Sequence, residues 1–422
     1  MKRISLKLAA LLLSGLMAGS ASANGLRVFS QDGFAAARGE AFTATADNPS
    51  AVYYNPAGIT QLPGTQLRAG LYSIYLQPTF RPPDTAPNAG HTYDIEKHFA
   101  GVPEVFATHT LKQLPVSVGL GIYAPFGGSI SWPETTGFRS VATHGSATYL
   151  RFNPVVAIKL GDTVSLGFGL SANYARINLE QGISQFSKPF DNFFRFTGDA
   201  WAVGGNFGLL YKPVEQLSFG ATVRSATKFS MDGATTFTQP PQIARQSIPA
   251  TADFEFPLEA TLGVSYRPTP HWNIEFDADF TGWNSFDTIT IQQKNAPPPP
   301  LQQTVPVKFK WRDSWAFELG ATRYFDNGWH VSAGYMYDQS SVPDTFYTPL
   351  AADQDRHFFN LGVGRTGKRW DFDLTYQFGY GPPHTVNGSS PASTPGFFAG
   401  QNANGTYTFI SNAILISMGY HF

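Results

Sequence analysis

Connections of two lengths alternate along this chain without exception. The short ones, at 112–115, 160–162, 212–216, 268–271, 326–328 and 366–369, are rich in Pro, Gly, Asp and Asn, the residues of tight turns. The long ones run near 81–102, 125–146, 181–198, 231–250, 290–305, 341–354 and 382–405. A soluble sandwich has no reason to sort its loops by length. A barrel spanning an outer membrane does, with tight turns at one rim and extended loops at the other.

The segments between these connections alternate in polarity with a period of two. Trp370, Phe372, Leu374, Tyr376, Phe378 and Tyr380 share one face of a strand; Asp371, Asp373, Thr375, Gln377 and Gly379 share the other. Trp272, Ile274, Phe276, Ala278 and Phe280 alternate in the same way with Asn273, Glu275, Asp277 and Asp279. Fourteen strands are expected, at 67–80, 103–112, 115–124, 147–160, 163–180, 199–212, 216–230, 251–267, 271–289, 306–325, 328–340, 355–366, 369–381 and 406–422. Most meet or exceed the roughly 9–11 residues that a tilted strand needs to cross a bilayer. Only 14% of residues are charged and 15% are aromatic, which suits a surface facing lipid. The expected fold class is therefore all-β: a 14-stranded antiparallel transmembrane β-barrel over 67–422, with both termini on the periplasmic side. Phe422 ends the last strand as the terminal aromatic through which the β-barrel assembly machinery is expected to recognise the chain.

Lys2, Arg3 and Lys7 precede an apolar run over 8–19, and Ala21-Ser22-Ala23 supplies small residues for cleavage. Residues 1–23 thus read as a signal peptide, which places the mature protein in the bacterial outer membrane. The chain has no cysteine, and nothing in its nearly balanced charge points to nucleic acid. No metal or cofactor is expected, because the nine histidines show no ligand spacing. No enzyme is expected either: there is no G-x-S-x-G, and His144 with Ser146 is too common a coincidence to mark a nucleophile.

Fourteen strands enclose a lumen too wide for wall side chains to fill. Residues 24–66 precede the first strand, lack its periodicity, and are expected to form a hatch folded into the barrel. Here the sequence "GEAFTATADNPSAVYYNPAG" resembles the N-terminal hatch of the FadL family of outer-membrane transporters of long-chain fatty acids and other hydrophobic compounds. Asn55, Pro56, Ala57 and Gly58 match its Asn-Pro-Ala element, with Asp47 upstream. "GLGIYAPFGG" is similar to the family's third strand and the loop after it. The resemblance implies that this strand kinks inward beside the Asn-Pro-Ala element and leaves a lateral opening to outer-membrane lipid. Gly119, Gly121, Pro125 and Phe126 are the residues expected to allow it. A side exit lets an apolar tail enter the bilayer without crossing water, at about 0.8 kcal/mol per methylene kept dry.

The resemblance further implies ligand capture by an extracellular loop carrying Phe186, Lys188, Phe190, Phe193, Phe194, Arg195 and Phe196, whose phenylalanines are expected to be exposed. It makes Arg27 a candidate contact for a ligand carboxylate. Glu255, Glu259, Glu275, Asp277 and Asp279 are expected to face Lys308, Lys310 and Arg312 across the lumen as a ladder of ion pairs; Asp313 falls on the lipid parity, and Arg38 and Glu40 read as hatch structure. The expected function is passive transport of long-chain fatty acids. Uptake of aromatic or other hydrocarbons is the alternative, and a water-filled porin a more distant one.

Overall fold

The computed structural model describes residues 25–183, 192–239, 243–297, 302–390 and 401–422. The signal-peptide reading therefore lies outside the described residues, as do Phe186, Lys188 and Phe190. Fourteen antiparallel strands close into one barrel. They are β1 (Thr65–Leu76), β2 (Phe99–Thr110), β3 (Val116–Tyr123 and Gly127–Ser131), β4 (His144–Leu160), β5 (Val164–Gly182), β6 (Phe193–Val214) and β7 (Leu217–Arg224 and Thr227–Gln239). These are followed by β8 (Ile243–Phe256 and Glu259–Thr269), β9 (Trp272–Thr281 and Thr288–Gln293), β10 (Thr304–Lys308 and Ser314–Tyr324), β11 (Trp329–Asp338), β12 (Arg356–Thr366), β13 (Trp370–Val386) and β14 (Gly405–His421). Each strand pairs with its sequence neighbours, and β1 pairs with β14 from Gln66 opposite His421 to Leu76 opposite Ser411. Closure of β1 on β14 leaves no open end to the sheet.

The apolar faces read from the sequence point outward. Trp370, Leu374 and Tyr376 are exposed on β13, and Trp272, Ile274 and Phe276 on β9. Their alternates point in, so Asn273, Glu275, Asp277 and Asp279 are buried. Several strands change parity part-way, and two of these changes, in β8 and β10, correct the expected charge ladder. In β8 the break at Pro257-Leu258 separates inward Ala252, Phe254 and Phe256 from inward Glu259 and Thr261, which turns Glu255 away from the lumen. In β10 Arg312 and Asp313 are both exposed between inward Trp311 and inward Ser314, so Lys310 and Arg312 project outward, and Lys308 is exposed at the rim of the barrel rather than part of a lumenal ladder. Lys310 reaches Asp287 on that outer face, at 2.5 Å, and Asp313 accepts hydrogen bonds from the backbone and side chain of Asn284. One skipped residue reverses every side chain beyond it.

The N-terminal segment lies inside the barrel. Asp32 caps helix α1 (Gly33–Ala37) by accepting from the Phe34 and Ala35 amides at 3.0 and 3.2 Å, and the small side chains of this helix are all buried. Helix α2 (Ala51–Tyr54) leads into a 3₁₀ turn over Pro56–Gln61. Asn55 caps that turn through its Oδ1, 3.1 Å from the Ala57 amide, while its Nδ2 donates to the carbonyls of Thr43 (2.8 Å) and Leu209 on β6 (2.9 Å). Gly167 on β5 and Gly208 on β6 admit this turn: a Cβ on Gly167 would sit 2.4 Å from the Ala57 nitrogen and the Pro56 carbonyl carbon. A Gly167→Val substitution should therefore dislodge the turn at a cost of about 1–3 kcal/mol. It should appear as earlier protease cleavage within the N-terminal segment while the barrel stays folded.

Candidate functional site

Acids on the barrel wall hold the N-terminal segment, and β9 supplies most of them. Asp277 accepts the Phe42 and Thr43 amides at 3.0 and 2.8 Å; Glu275 accepts the Ala44 and Thr45 amides at 2.6 and 3.1 Å. Glu275 also meets Arg38 at 2.9 Å, and Arg38 donates to Asn273 and Thr322. Arg27 is clamped by Asp279, at 2.6 Å for one of its two bonds, and by Glu259 at 2.9 Å. On the opposite wall Arg68 of β1 joins Asp32 to Asp373, the latter at 2.6 Å, and His330 meets Asp373 at 2.7 Å. Asp47 pairs with Arg267 at 2.8 Å. The three β9 acids thus serve the inserted segment, while Glu259 is shared between Arg27 of that segment and Arg224 of the neighbouring strand, at 3.8 Å. The alternation of β9 located three of them, but nothing in the sequence told where their partners would lie.

The wall is interrupted between β2 and β3. Pairing runs from Thr110 opposite Ser117 to Val105 opposite Ile122 and then stops. It is regained only where the Glu96 amide donates to the Ser131 carbonyl at 2.9 Å. Across this window β2 pairs with β1 alone, and Gly127–Ser131 of β3 pairs with β4 alone. Ala124, Pro125 and Phe126 step inward and join the N-terminal segment instead. The Val28 amide donates to the Pro125 carbonyl and the Gly127 amide to the Leu26 carbonyl, both at 2.8 Å, making an isolated bridge between Arg27 and Phe126. Gln31 adds its Nε2, which donates to the carbonyls of Ala124 (2.9 Å) and Val28 (3.0 Å). Phe126 packs against Tyr149, Phe256 and Trp283.

This geometry corrects two site expectations. Gly119 and Gly121 lie in regular ladder on both sides, so they do not make the bend; they leave room for Val52 of α2, which a Cβ on either would approach within 2.9 Å. The inward step is bridged by Leu26–Val28 and Gln31, whereas Asn55, Pro56 and Ala57 dock against β5 and β6. Pro103, in the unpaired stretch of β2, is a signal that sequence reading missed: proline inside a strand belongs at an edge.

Cavities lie on both sides of this latch. The outermost has a free volume of about 760 Å³ including its open mouth, and Leu179, Phe194, Val307, Phe309, Phe346 and Leu350 line it, with Lys308 at its rim. Phe194 and Phe196 are buried rather than exposed, because the loop they were assigned to is the start of β6 and both point into the barrel. Arg195 points the other way and pairs with Glu180, while Phe193 is half-buried beside it. Leu179, Phe309 and Leu350 also border a second cavity of about 400 Å³, walled by Phe254, Phe286 and Trp311 and reaching Leu26 and Gly128 at the latch. Beyond Leu26 lie two more: one of about 400 Å³ bounded by Val28, Phe29, Tyr72, Ile74 and Leu76, and one of about 250 Å³ between Arg27, Glu40, Arg224 and Glu318. Tyr72 and Ile74 lie opposite Val102 and Ala100, so the former cavity abuts the β2 edge of the window.

The family described as outer membrane protein transport protein (OMPP1/FadL/TodX) matches residues 14–422. The chain is 24% identical over 353 residues to the long-chain fatty acid transport protein of Salmonella typhi, covering 76% of this chain and 78% of the relative. It is 25% identical over 377 residues to the 47 kDa outer membrane protein of Pasteurella multocida, covering 82% and 85%. Its fold is similar to the crystal structure of a Pseudomonas aeruginosa FadL homologue, with a TM-score of 0.80 at 17% identity over 94% of this chain and 99% of the other. It is also similar to that of the Pseudomonas putida toluene transporter TodX, with a TM-score of 0.69 at 15% identity over 94% and 100%.

Proposed function

Because the chain belongs to the outer membrane protein transport family of FadL and TodX, we propose that it carries long-chain fatty acids and hydrophobic molecules of similar bulk along the cavities just described and releases them sideways into the bilayer. The run of cavities from the mouth to the latch supports this reading most strongly. Residues 25–64 act as the hatch, and the Asn55-Pro56-Ala57-Gly58 turn and the Asp47–Arg267 pair fix it to the wall. Capture occurs at the outer cavity, where Phe194 supplies apolar surface and Lys308 the rim charge. Entry into the second cavity then loosens the contacts of Leu26 and Gly128, and the window between β2 and β3 opens toward lipid. Arg27 is a poor carboxylate receptor, since Asp279 and Glu259 already occupy it. No energy source is needed, because transfer from water to the bilayer interior is itself downhill. Phe422 is exposed at the chain end, where the assembly machinery can read it.

Uptake of labelled oleate by cells lacking their own fatty acid transporter, measured with and without this protein and beside toluene, tests the proposal. Accumulation of oleate supports fatty acid transport, accumulation of toluene alone shifts the cargo to hydrocarbons, and accumulation of neither refutes the reading. Leu179 borders both of the outer cavities. A Leu179→Trp substitution should narrow their junction and lower the initial uptake rate roughly tenfold, the effect of about 1.4 kcal/mol on the passage barrier, with unchanged amounts of protein in the membrane.

A further inference from the structure

Charge is unevenly distributed along the route. Lys308 stands at the rim of the outer cavity, and among the described residues it makes no ion pair. The second cavity has no charged side chain in its lining; its polar groups are the Ser146 hydroxyl and the indole of Trp311, whose Nε1 has no hydrogen-bond partner. Past the latch the only cations lining the cavities are Arg27 and Arg224, and neither is uncommitted. Arg27 is held by Asp279 and Glu259, while Arg224 donates to the Tyr53 carbonyl and lies 3.8 Å from Glu259. Glu40 and Glu318 line the same compartment without an ion-pair partner among the described residues. Two guanidiniums therefore face four carboxylates. Burial pushes the Glu40 carboxyl up to about 7, although Ser30 and Tyr54 donate hydrogen bonds to it. A compartment whose burial disfavours the charged form of Glu40 is a poor host for another anion.

We propose that the inner route selects cargo by charge: the second cavity and the compartment behind it accept uncharged hydrophobic molecules and reject carboxylate anions, so that an acid passes as its neutral form and esters or hydrocarbons of like size pass as they are. This rests on the cavities being the transport route. A fatty acid anion caught at Lys308 gives up that counter-charge on moving into the second cavity, whose lining holds no charged side chain, and the acid must take up a proton to go further. A neutral molecule pays no such penalty, and an ester carbonyl retains one hydrogen-bond donor in the Trp311 indole.

Bromine quenches indole fluorescence on contact, so the full chain in detergent can be titrated with dibromostearate and with its methyl ester at about pH 8, where a free carboxyl is ionised. The ester should quench with a Kd about tenfold or more below that of the acid, a difference of about 1.4 kcal/mol or greater. Trp311→Phe should remove part of the quenching by the ester. A Leu179→Lys variant, which brings a cation to the second cavity, should favour the acid by about tenfold relative to wild type. Equal or tighter binding of the acid by the wild-type protein overturns the charge rule and leaves the transport route standing. Quenching by neither probe overturns the route and the rule together.

Discussion

Joining Val28→Cys to Pro125→Cys by a disulfide should stop transport, and a reductant should restore it. The two residues face each other where the N-terminal segment bridges the kink, with the Val28 amide on the Pro125 carbonyl at 2.8 Å. Facing residues of an antiparallel pair have Cα atoms about 4.5–5.5 Å apart, inside the range a disulfide spans. The chain has no other cysteine, so the engineered pair is the sole thiol couple and the reduced protein is its own control. Val28 is buried against the cavity beside β1, and Pro125 has no amide hydrogen to lose. If release requires Leu26–Val28 to part from Pro125–Gly127, the oxidised form should take up oleate at least about tenfold more slowly than the reduced form, as expected when a gating step is blocked. Equal uptake by the two forms would mean that cargo leaves by some path other than the window between β2 and β3.

The sequence made the barrel easy to read and the latch hard. Alternation is a local property, and the outward faces of β9 and β13 follow from it residue by residue. The breaks in β8 and β10 are local too, yet each shifts parity by a single residue, which a hydrophobic pattern with Pro257 or Asp313 at the join does not reveal. The resemblance directed attention to Gly119 and Gly121, but a glycine in a strand has two uses, to bend or to admit a neighbour, and only the position of Val52 decides between them. Arg27 illustrates the same limit. A buried arginine near the chain start suits a ligand carboxylate until Asp279 and Glu259, more than two hundred residues away in sequence, are found on it. Pro125 was one local sign of the window and Pro103 a second, since Pro103 breaks a strand that otherwise alternates well.

Replacing Glu275 and Asp277 together by alanine should turn a closed barrel into a leaky one. These side chains accept the four consecutive amides of Phe42, Thr43, Ala44 and Thr45, and Glu275 carries the ion pair with Arg38. Removing the carboxylates leaves those amides and a fully buried guanidinium with fewer partners, and breaking one buried ion pair alone costs about 3–5 kcal/mol. Their loss falls on the inserted segment rather than on the wall, because the barrel ladder of β9 with β8 and β10 uses backbone groups that the substitutions leave intact. The population with a displaced segment should rise by roughly 100- to 4000-fold, since each 1.4 kcal/mol is a factor of ten. The variant should therefore conduct ions in a planar bilayer and sensitise cells to large polar antibiotics, while its barrel still resists unfolding in detergent. Conductance that stays at the wild-type level, with the segment equally protected from protease, would show that Asp279 on Arg27, and Arg68 with Asp373 on Asp32 at the opposite wall, hold the segment without Glu275 and Asp277.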